Sequence, residues 1–469
     1  MAAVLIKNGR IVTAVDDYQG DILIEDGRIR TIGQGLVVSN QVETHDASGL
    51  LVLPGGIDVH THLDWDFGVA RTVDTFGTGT KAAAFGGTTT VIDFCNQTRG
   101  ASPLVGLEDW HRRAASASVD VGAHMIMLDV NDQSLTDMQT LIRREGVTSF
   151  KLFMAYPGVL MLDDGALFKA MRLAGGHGAM ICVHAENGQV IQVLVEEAVA
   201  AGRVAPKYHS LTRPTSMEGE ATHRAIKIAE LAETPLYVVH LSAREALAAV
   251  AEARDAGLPV HAETCPHYLF LTQEEYDRPE FEGAKYVMTP PLRDTTHQQA
   301  MWRGLSTNDL QVVSTDHCPF CFNEQLFGMK FSKQQGKDDF SKIPNGAPGI
   351  ETRLPLVYDG GVRQRGLSLN RFVALTATNP AKLFGLFPKK GTIAVGSDGD
   401  IVLFDPHDTW TIRASEHHSR VDYSLFEGYT LTGSVKKVFL RGQLIVDGKD
   451  WHGREGMGEF LRRGDCGTL

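Results

Sequence analysis

The stretch GIDVHTH, residues 56–62, sets the reading of the whole chain. It is a short, largely apolar, strand-like run, and seven more follow it: TTTVIDF (88–94), VGAHMIML (121–128), TSFKLFM (148–154), AMICVHAE (179–186), PLYVVHLS (235–242), PVHAETCPHY (259–268) and LQVVSTDH (310–317). Helix-length amphipathic segments separate the runs, among them VDTFGTGTKAAAF (73–85), EGEATHRAIKIAELAE (218–233) and AREALAAVAEARDAG (243–257). The last runs into Gly-Leu-Pro, as a helix stop should. Strand then helix, repeated around eight strands, predicts an α/β fold of the (β/α)8 TIM-like barrel class rather than an open doubly wound sheet. Neither a GxGxxG fingerprint nor a P-loop follows any of the strands, which removes the usual nucleotide sites.

Outward from the barrel the grammar changes. VLIKNGRIVTA (4–14) and DILIEDGRIRTIG (21–33) are short strands around Asn-Gly and Asp-Gly turns, and the same pattern returns in GTIAVGSDGDIVLFDP (391–406) and SVKKVFLRGQLIVDGK (434–449). Both chain ends are therefore expected to build one β-sandwich. The expected division is residues 1–54 for its N-terminal part, 55–385 for the barrel, and 386–469 for its C-terminal part and a tail. Residues 318–349, CPFCFNEQLFGMKFSKQQGKDDFSKIPNGAPG, leave the end of the eighth strand as a long polar stretch. That end is where barrel enzymes place their chemistry, so a substrate-covering loop is expected there.

Composition narrows the partners. Lys and Arg number 45 against 57 Asp and Glu, a net charge of -12, which argues against nucleic acid or an anionic membrane as partner. No apolar run approaches bilayer length, and the opening MAAVLIKNGRIVTAV meets a lysine, an Asn-Gly and an arginine too early for a secretory signal. The six cysteines are spread along the chain and read as reduced thiols of a cytoplasmic protein.

The chemistry-bearing residues gather at strand ends. His60 and His62 lie two apart on the first strand, so strand alternation points both imidazoles to one side. His184 closes the fifth strand, His240 the sixth and Asp316 the eighth. Four histidines and one carboxylate at the same end of a barrel make a metal site, with zinc the expected ion. Lys151 ends the fourth strand. An ammonium aimed at cations would be repelled, whereas a neutral amine can capture carbon dioxide and become an anionic carbamate able to bridge two metals. On spacing alone, an ordinary snorkelling lysine is the slightly better reading of Lys151.

Seven motifs in order, PGGIDVHTHLD, FKLFMAYPG, VHAEN, VHLS, MTPPLR, STDHCPF and IPNG, resemble the cyclic amidohydrolase family, most closely its dihydropyrimidinase and D-hydantoinase members. The resemblance runs from the N-terminal strands to about Pro406. It implies a homotetramer and a binuclear zinc centre, with His60, His62 and Asp316 on one zinc, His184 and His240 on the other, and carbamylated Lys151 and a hydroxide bridging both. It also implies ring opening of 5,6-dihydropyrimidines or 5-substituted hydantoins to N-carbamoyl amino acids. Asp316 would accept the proton of the attacking hydroxide and return it to the departing ring nitrogen. Tyr156 would donate a hydrogen bond to the developing oxyanion, and Thr289 and Asn345 would contact the substrate imide largely through backbone groups. Thr289 stands where many relatives carry serine, a change that a backbone contact tolerates.

Dihydrouracil is the first expected substrate. Allantoin and dihydroorotate are less expected, since no additional arginine in the loops suggests a carboxylate clamp. The opposing class is a non-catalytic scaffold, because the family also includes structural proteins of the neuronal collapsin-response type that lack several ligands. Trp65, Phe67, Phe153 and Leu160 are read either as an apolar wall around a ring substituent or as packing that closes the barrel top. Cys318-x-x-Cys321 lacks the second ligand pair of a structural zinc and the βαβ context of a redox motif. His317 should point away from Asp316 and is free to orient a ligand, and His417-His418 reads as a solvated pair.

Overall fold

A computed structural model describes residues 3–38, 42–66, 70–323, 332–467 and 469. Five strands come first: β1 (Val4–Val12), β2 (Asp17–Glu25), β3 (Arg28–Gly33), β4 (Glu43–Asp46) and β5 (Leu51–Pro54). Eight parallel strands follow: β6 (Gly56–Thr61), β7 (Thr88–Asn96), β8 (Asp120–Ile126), β9 (Ser149–Phe153), β10 (Met180–His184), β11 (Leu236–Val238), β12 (Val260–Thr264) and β13 (Val312–Val313). The chain ends with β14 (Ile401–Thr411), β15 (Thr430–Leu440), β16 (Gln443–Asp447) and β17 (Asp450–Trp451).

Strands β6 to β13 pair in sequence order, and a parallel bridge from Thr61 to His317 joins the last segment to the first. His62 N donates to His317 O at 2.9 Å across that seam. This is the eight-stranded barrel that the sequence predicts. Its strands are covered on both faces, which is why they read as continuous apolar runs rather than alternating ones. Ile57, Val59, Met180, Tyr237, Val312 and Phe384 form an apolar cluster with Leu461 from the C-terminal tail. The polar side chains collect at the opposite, C-terminal ends of the strands.

The second sheet has nine strands and is mostly antiparallel. Its two contributions meet where β5 pairs with β14, Pro54 opposite Ile401 and Leu51 opposite Phe404, so both chain ends share one β unit. Ile6, Ile22, Ile24, Val52, Ile401, Leu403 and Phe439 fill one of its cores. The tail then returns to the barrel, where Phe460 bridges to Val121. No helix among the described residues is long and apolar enough to cross a membrane, and all six cysteines are unpaired.

Candidate metal centre

The strand ends deliver His60, His62, Lys151, His184, His240 and Asp316 to one cavity of about 990 Å³. His60 Nε2 and His62 Nε2 lie 3.1 and 3.2 Å from the same oxygen of Asp316. His60, His240 and Asp316 offer ligand atoms within 4.8 Å of one another. The His184 ring meets His240 edge-on at 4.6 Å. That trio takes His60 and Asp316 from the first expected zinc site and His240 from the second, so the two expected sites adjoin.

Buried polar atoms normally find partners. Here His60 Nε2, His62 Nδ1 and His240 Nδ1 are buried and accept or donate no hydrogen bond within the protein. His60 Nε2 and His62 Nε2 both face one Asp316 oxygen, a convergence of donor atoms that a shared cation would also use. Imidazole and carboxylate are the donor set of zinc, so the residues present fit a metal. Unpartnered nitrogens occur on other buried histidines too, His261 and His267 among them, but among the described residues only here do three converge on one carboxylate in a cavity. His124 shows the satisfied alternative. His124 reaches Ser149 Oγ at 2.5 Å and Val59 O at 3.0 Å, which occupies both ring nitrogens.

Two carboxylates outside the strand-end set marked in the sequence hold the ligands in place. Glu263, on β12, contacts His60 Nδ1 at 2.5 Å, accepts the His240 backbone N–H at 3.1 Å and accepts the Tyr237 hydroxyl at 2.8 Å. Glu186 meets His184 Nε2 at 2.8 Å. Both acids stood in quoted strand motifs, and an acid in a buried apolar strand is itself a signal that something buried needs it.

The electrostatics follow from this arrangement. Desolvation opposes charge on His60, but Asp316 and Glu263 together outweigh it and lift that imidazole to about 9. Desolvation dominates for His62 and pulls it to about 4, despite the neighbouring Asp316. Burial raises and the surrounding imidazoles lower Asp316, with the imidazoles prevailing to keep it ionised well below the usual carboxylate range. Burial brings Lys151 down to about 8. Its Nζ faces the rings of Phe94 and Phe153, each at 5.2 Å, and no ion pair holds it among the described residues. Three site residues also carry left-handed backbone: His240 (φ 38°), Asp316 (φ 47°) and Tyr156 (φ 62°). Each such residue costs about 1–3 kcal/mol that the surrounding structure must offset, and such strain concentrates at functional sites.

Tyr156, Thr289 and Asn345 line the same cavity. The Tyr156 phenol is raised to about 12 by burial, against the opposing pull of Arg213 and of hydrogen bonds from Thr289 and Asn345. Trp65, Phe153 and Leu160 also line the cavity, and they pack with Phe94 and Ile126 in one apolar cluster, so the wall and the packing are the same side chains. Phe67 lies outside the described residues. Within the expected covering loop, residues 335 and 341–346 reach the cavity, whereas residues 324–331 lie outside the described set.

His317 points away from the centre. Its Nε2 donates to Asp74 at 3.0 Å and its Nδ1 accepts the Gly349 backbone N–H at 3.1 Å, so it is a tie between the barrel top and the following segment. Cys318 and Cys321 are buried free thiols. His417-His418 is not the solvated pair expected. The His418 ring stacks on Phe85 with centroids 3.4 Å apart and meets Glu351 at 2.8 Å, while His417 Nε2 is buried. These contacts come from residues far away in sequence, which a run of polar neighbours does not reveal.

A sequence profile of the amidohydrolase family matches residues 51–445. The chain is 49% identical to a D-hydantoinase of Streptomyces coelicolor over 99% of both chains. It is 48% identical to a D-hydantoinase of Geobacillus stearothermophilus over 99% of this chain and 97% of that one. The fold superposes on the crystal structure of a dihydropyrimidinase from Brevibacillus agri with a TM-score of 0.97, at 47% identity and with 100% of both chains covered.

Proposed function

This chain belongs to the amidohydrolase family, as a cyclic amidohydrolase of the hydantoinase and dihydropyrimidinase group, and we propose that it opens 5-substituted hydantoins and 5,6-dihydropyrimidines to N-carbamoyl amino acids. The observation that carries the reading is the cluster of buried imidazoles with unpartnered nitrogens beside a buried lysine and an ionised Asp316. Two zinc ions would be held by His60, His62, His184, His240, Asp316 and carbamylated Lys151. When bound, they would lower the pKa of water and polarise the carbonyl under attack.

The remaining work falls to side chains of this protein. Asp316, ionised and at the cavity floor, accepts a proton from the attacking water and returns it to the departing ring nitrogen. Tyr156, its phenol kept protonated by burial, donates a hydrogen bond to the oxygen that gains charge. Thr289 and Asn345 hold the CO–NH–CO edge of the ring through their backbone. A depressed Lys151 supports the carbamate, because only the neutral amine attacks carbon dioxide. Trp65, Phe153 and Leu160 give the ring substituent an apolar wall. By resemblance to its family, the working unit is a homotetramer.

The alternative ring substrates, allantoin and dihydroorotate, differ by a ureido group or a carboxylate. Arg99 and Lys342 are cationic residues at the cavity lining, and Arg99 already donates to Val159 O at 3.2 Å. The test is hydrolysis of dihydrouracil and a 5-aryl hydantoin beside allantoin and dihydroorotate, with preference for the first pair expected. Preference for either of the second pair overturns the substrate assignment.

A further inference from the structure

The backbone groups that would read the substrate edge lie on two separate segments, residues 287–290 and 344–346, and their spacing has to be fixed by something. One side chain touches both. Lys333 is fully buried, and its Nζ donates to the carbonyl oxygens of Val287, Pro344 and Gly346, each at 2.7 Å. The Gly346 N–H adds a direct bond to Val287 O at 3.1 Å.

The neighbouring carbonyls are occupied as well. Met288 O accepts from His209 Nε2 at 2.8 Å, and Pro290 O accepts from the Tyr268 hydroxyl at 2.6 Å. In the first segment this leaves the Thr289 carbonyl, and in the second the Asn345 carbonyl, as the ones that accept no hydrogen bond among the described residues. Thr289 and Asn345 are also the residues that line the cavity beside Tyr156.

An ammonium is an expensive way to fill this space. Burial without a counter-ion opposes the charge on Lys333, and the three carbonyl oxygens at 2.7 Å are what favour its ammonium form. What an ammonium offers in return is three donors on a single atom, which can satisfy three converging carbonyls at once. A guanidinium is planar and cannot match that geometry, and a methionine has no donor to give.

We propose that Lys333 is a positioning residue for substrate recognition, tying the segment after the eighth strand to both edge-reading segments so that the Thr289 and Asn345 carbonyls are the acceptors left facing the ring. This rests on the reading above that the substrate presents a CO–NH–CO edge. The central N–H of that edge is a donor that requires such an acceptor, and a methyl group on that nitrogen removes the donor.

The experiment compares kcat/KM for a 5-substituted hydantoin and its N3-methyl counterpart in the full-length zinc-loaded protein, as wild type, Lys333→Met and Lys333→Arg. Both rings are measured on one preparation, so a reduced folded fraction cancels in the ratio. Intrinsic reactivity differences between the rings cancel when variant and wild type are compared. Wild type is expected to prefer the unmethylated ring strongly. Lys333→Met should shrink that preference about tenfold, the worth of one hydrogen bond, chiefly by raising KM for the unmethylated ring while zinc content stays at the wild-type level. Lys333→Arg, which keeps charge and bulk, should shrink it in the same direction and supplies the answer if the methionine variant does not fold. If both variants keep the wild-type preference, Lys333 is a structural residue only and the proposal fails. If wild type itself shows no preference, the edge-reading assignment fails and takes the proposal with it.

Discussion

At the N-terminal end of the barrel, Lys390 is buried among three aspartates, 2.6 Å from Asp120, 2.7 Å from Asp400 and 3.0 Å from Asp398, and Arg441 also pairs with Asp120. At the C-terminal end, Lys151 is just as buried and has no ion-pair partner among the described residues, while His62 Nδ1 and His240 Nδ1 make no hydrogen bond and His60 Nε2 meets only Asp316. In the first arrangement every carboxylate has a cation within 3.0 Å. Its carboxylates hold Lys390 charged against the desolvation that opposes it, and the network joins the barrel to the β sheet through Asp120 on β8 and residues just before β14. The second gathers a lysine without a counter-ion and imidazole nitrogens without hydrogen bonds around one carboxylate, groups that bound cations and a carbamate would satisfy. A buried charge cluster is therefore read by whether its polar atoms are accounted for, not by its charge.

This contrast can be broken or sharpened by substitution. The largest effect is expected for Lys151→Ala, which should abolish activity and bound zinc together, with short carboxylic acids restoring part of both. Wild-type rates in that variant would show that the lysine is no bridge. Next comes Lys390→Met, which leaves three carboxylates without their cation. It should cost roughly 3–5 kcal/mol in urea denaturation yet leave zinc per folded chain unchanged. If zinc falls with it, the two ends are not independent.

Glu263→Gln should weaken zinc binding about 10- to 100-fold, read by competition with a chelator, because it disturbs His60 and the His240 backbone at once. Unaltered affinity would leave Glu263 as a packing residue. The smallest effect is expected for His418→Ala, about 1 kcal/mol of stability from a lost ring stack and a lost contact to Glu351, with kcat/KM unaffected.

The barrel was legible because eight short apolar runs, the trace of parallel strands buried on both faces, alternate with helix-length amphipathic segments. The sheet shared by the chain ends was legible from Asn-Gly and Asp-Gly turns, although the pairing of β5 with β14 spans hundreds of residues. His60, His62, His184, His240 and Asp316 stood out because each sits at a strand end, and alternation sent His317 the other way. Glu263 did not stand out, since its meaning lies in a contact with His60 that is 203 residues away in sequence. Lys333 was hidden for a similar reason. In sequence it is one of several lysines in a polar loop, and only the tertiary structure shows three carbonyls converging on it.

The most direct test is the metal content of the purified, active protein alongside its hydrolysis of a 5-substituted hydantoin, before and after chelation. About two zinc ions per chain are expected, with activity lost on their removal and regained on their return. A metal-free preparation that still opened the ring at the original rate would contradict the account.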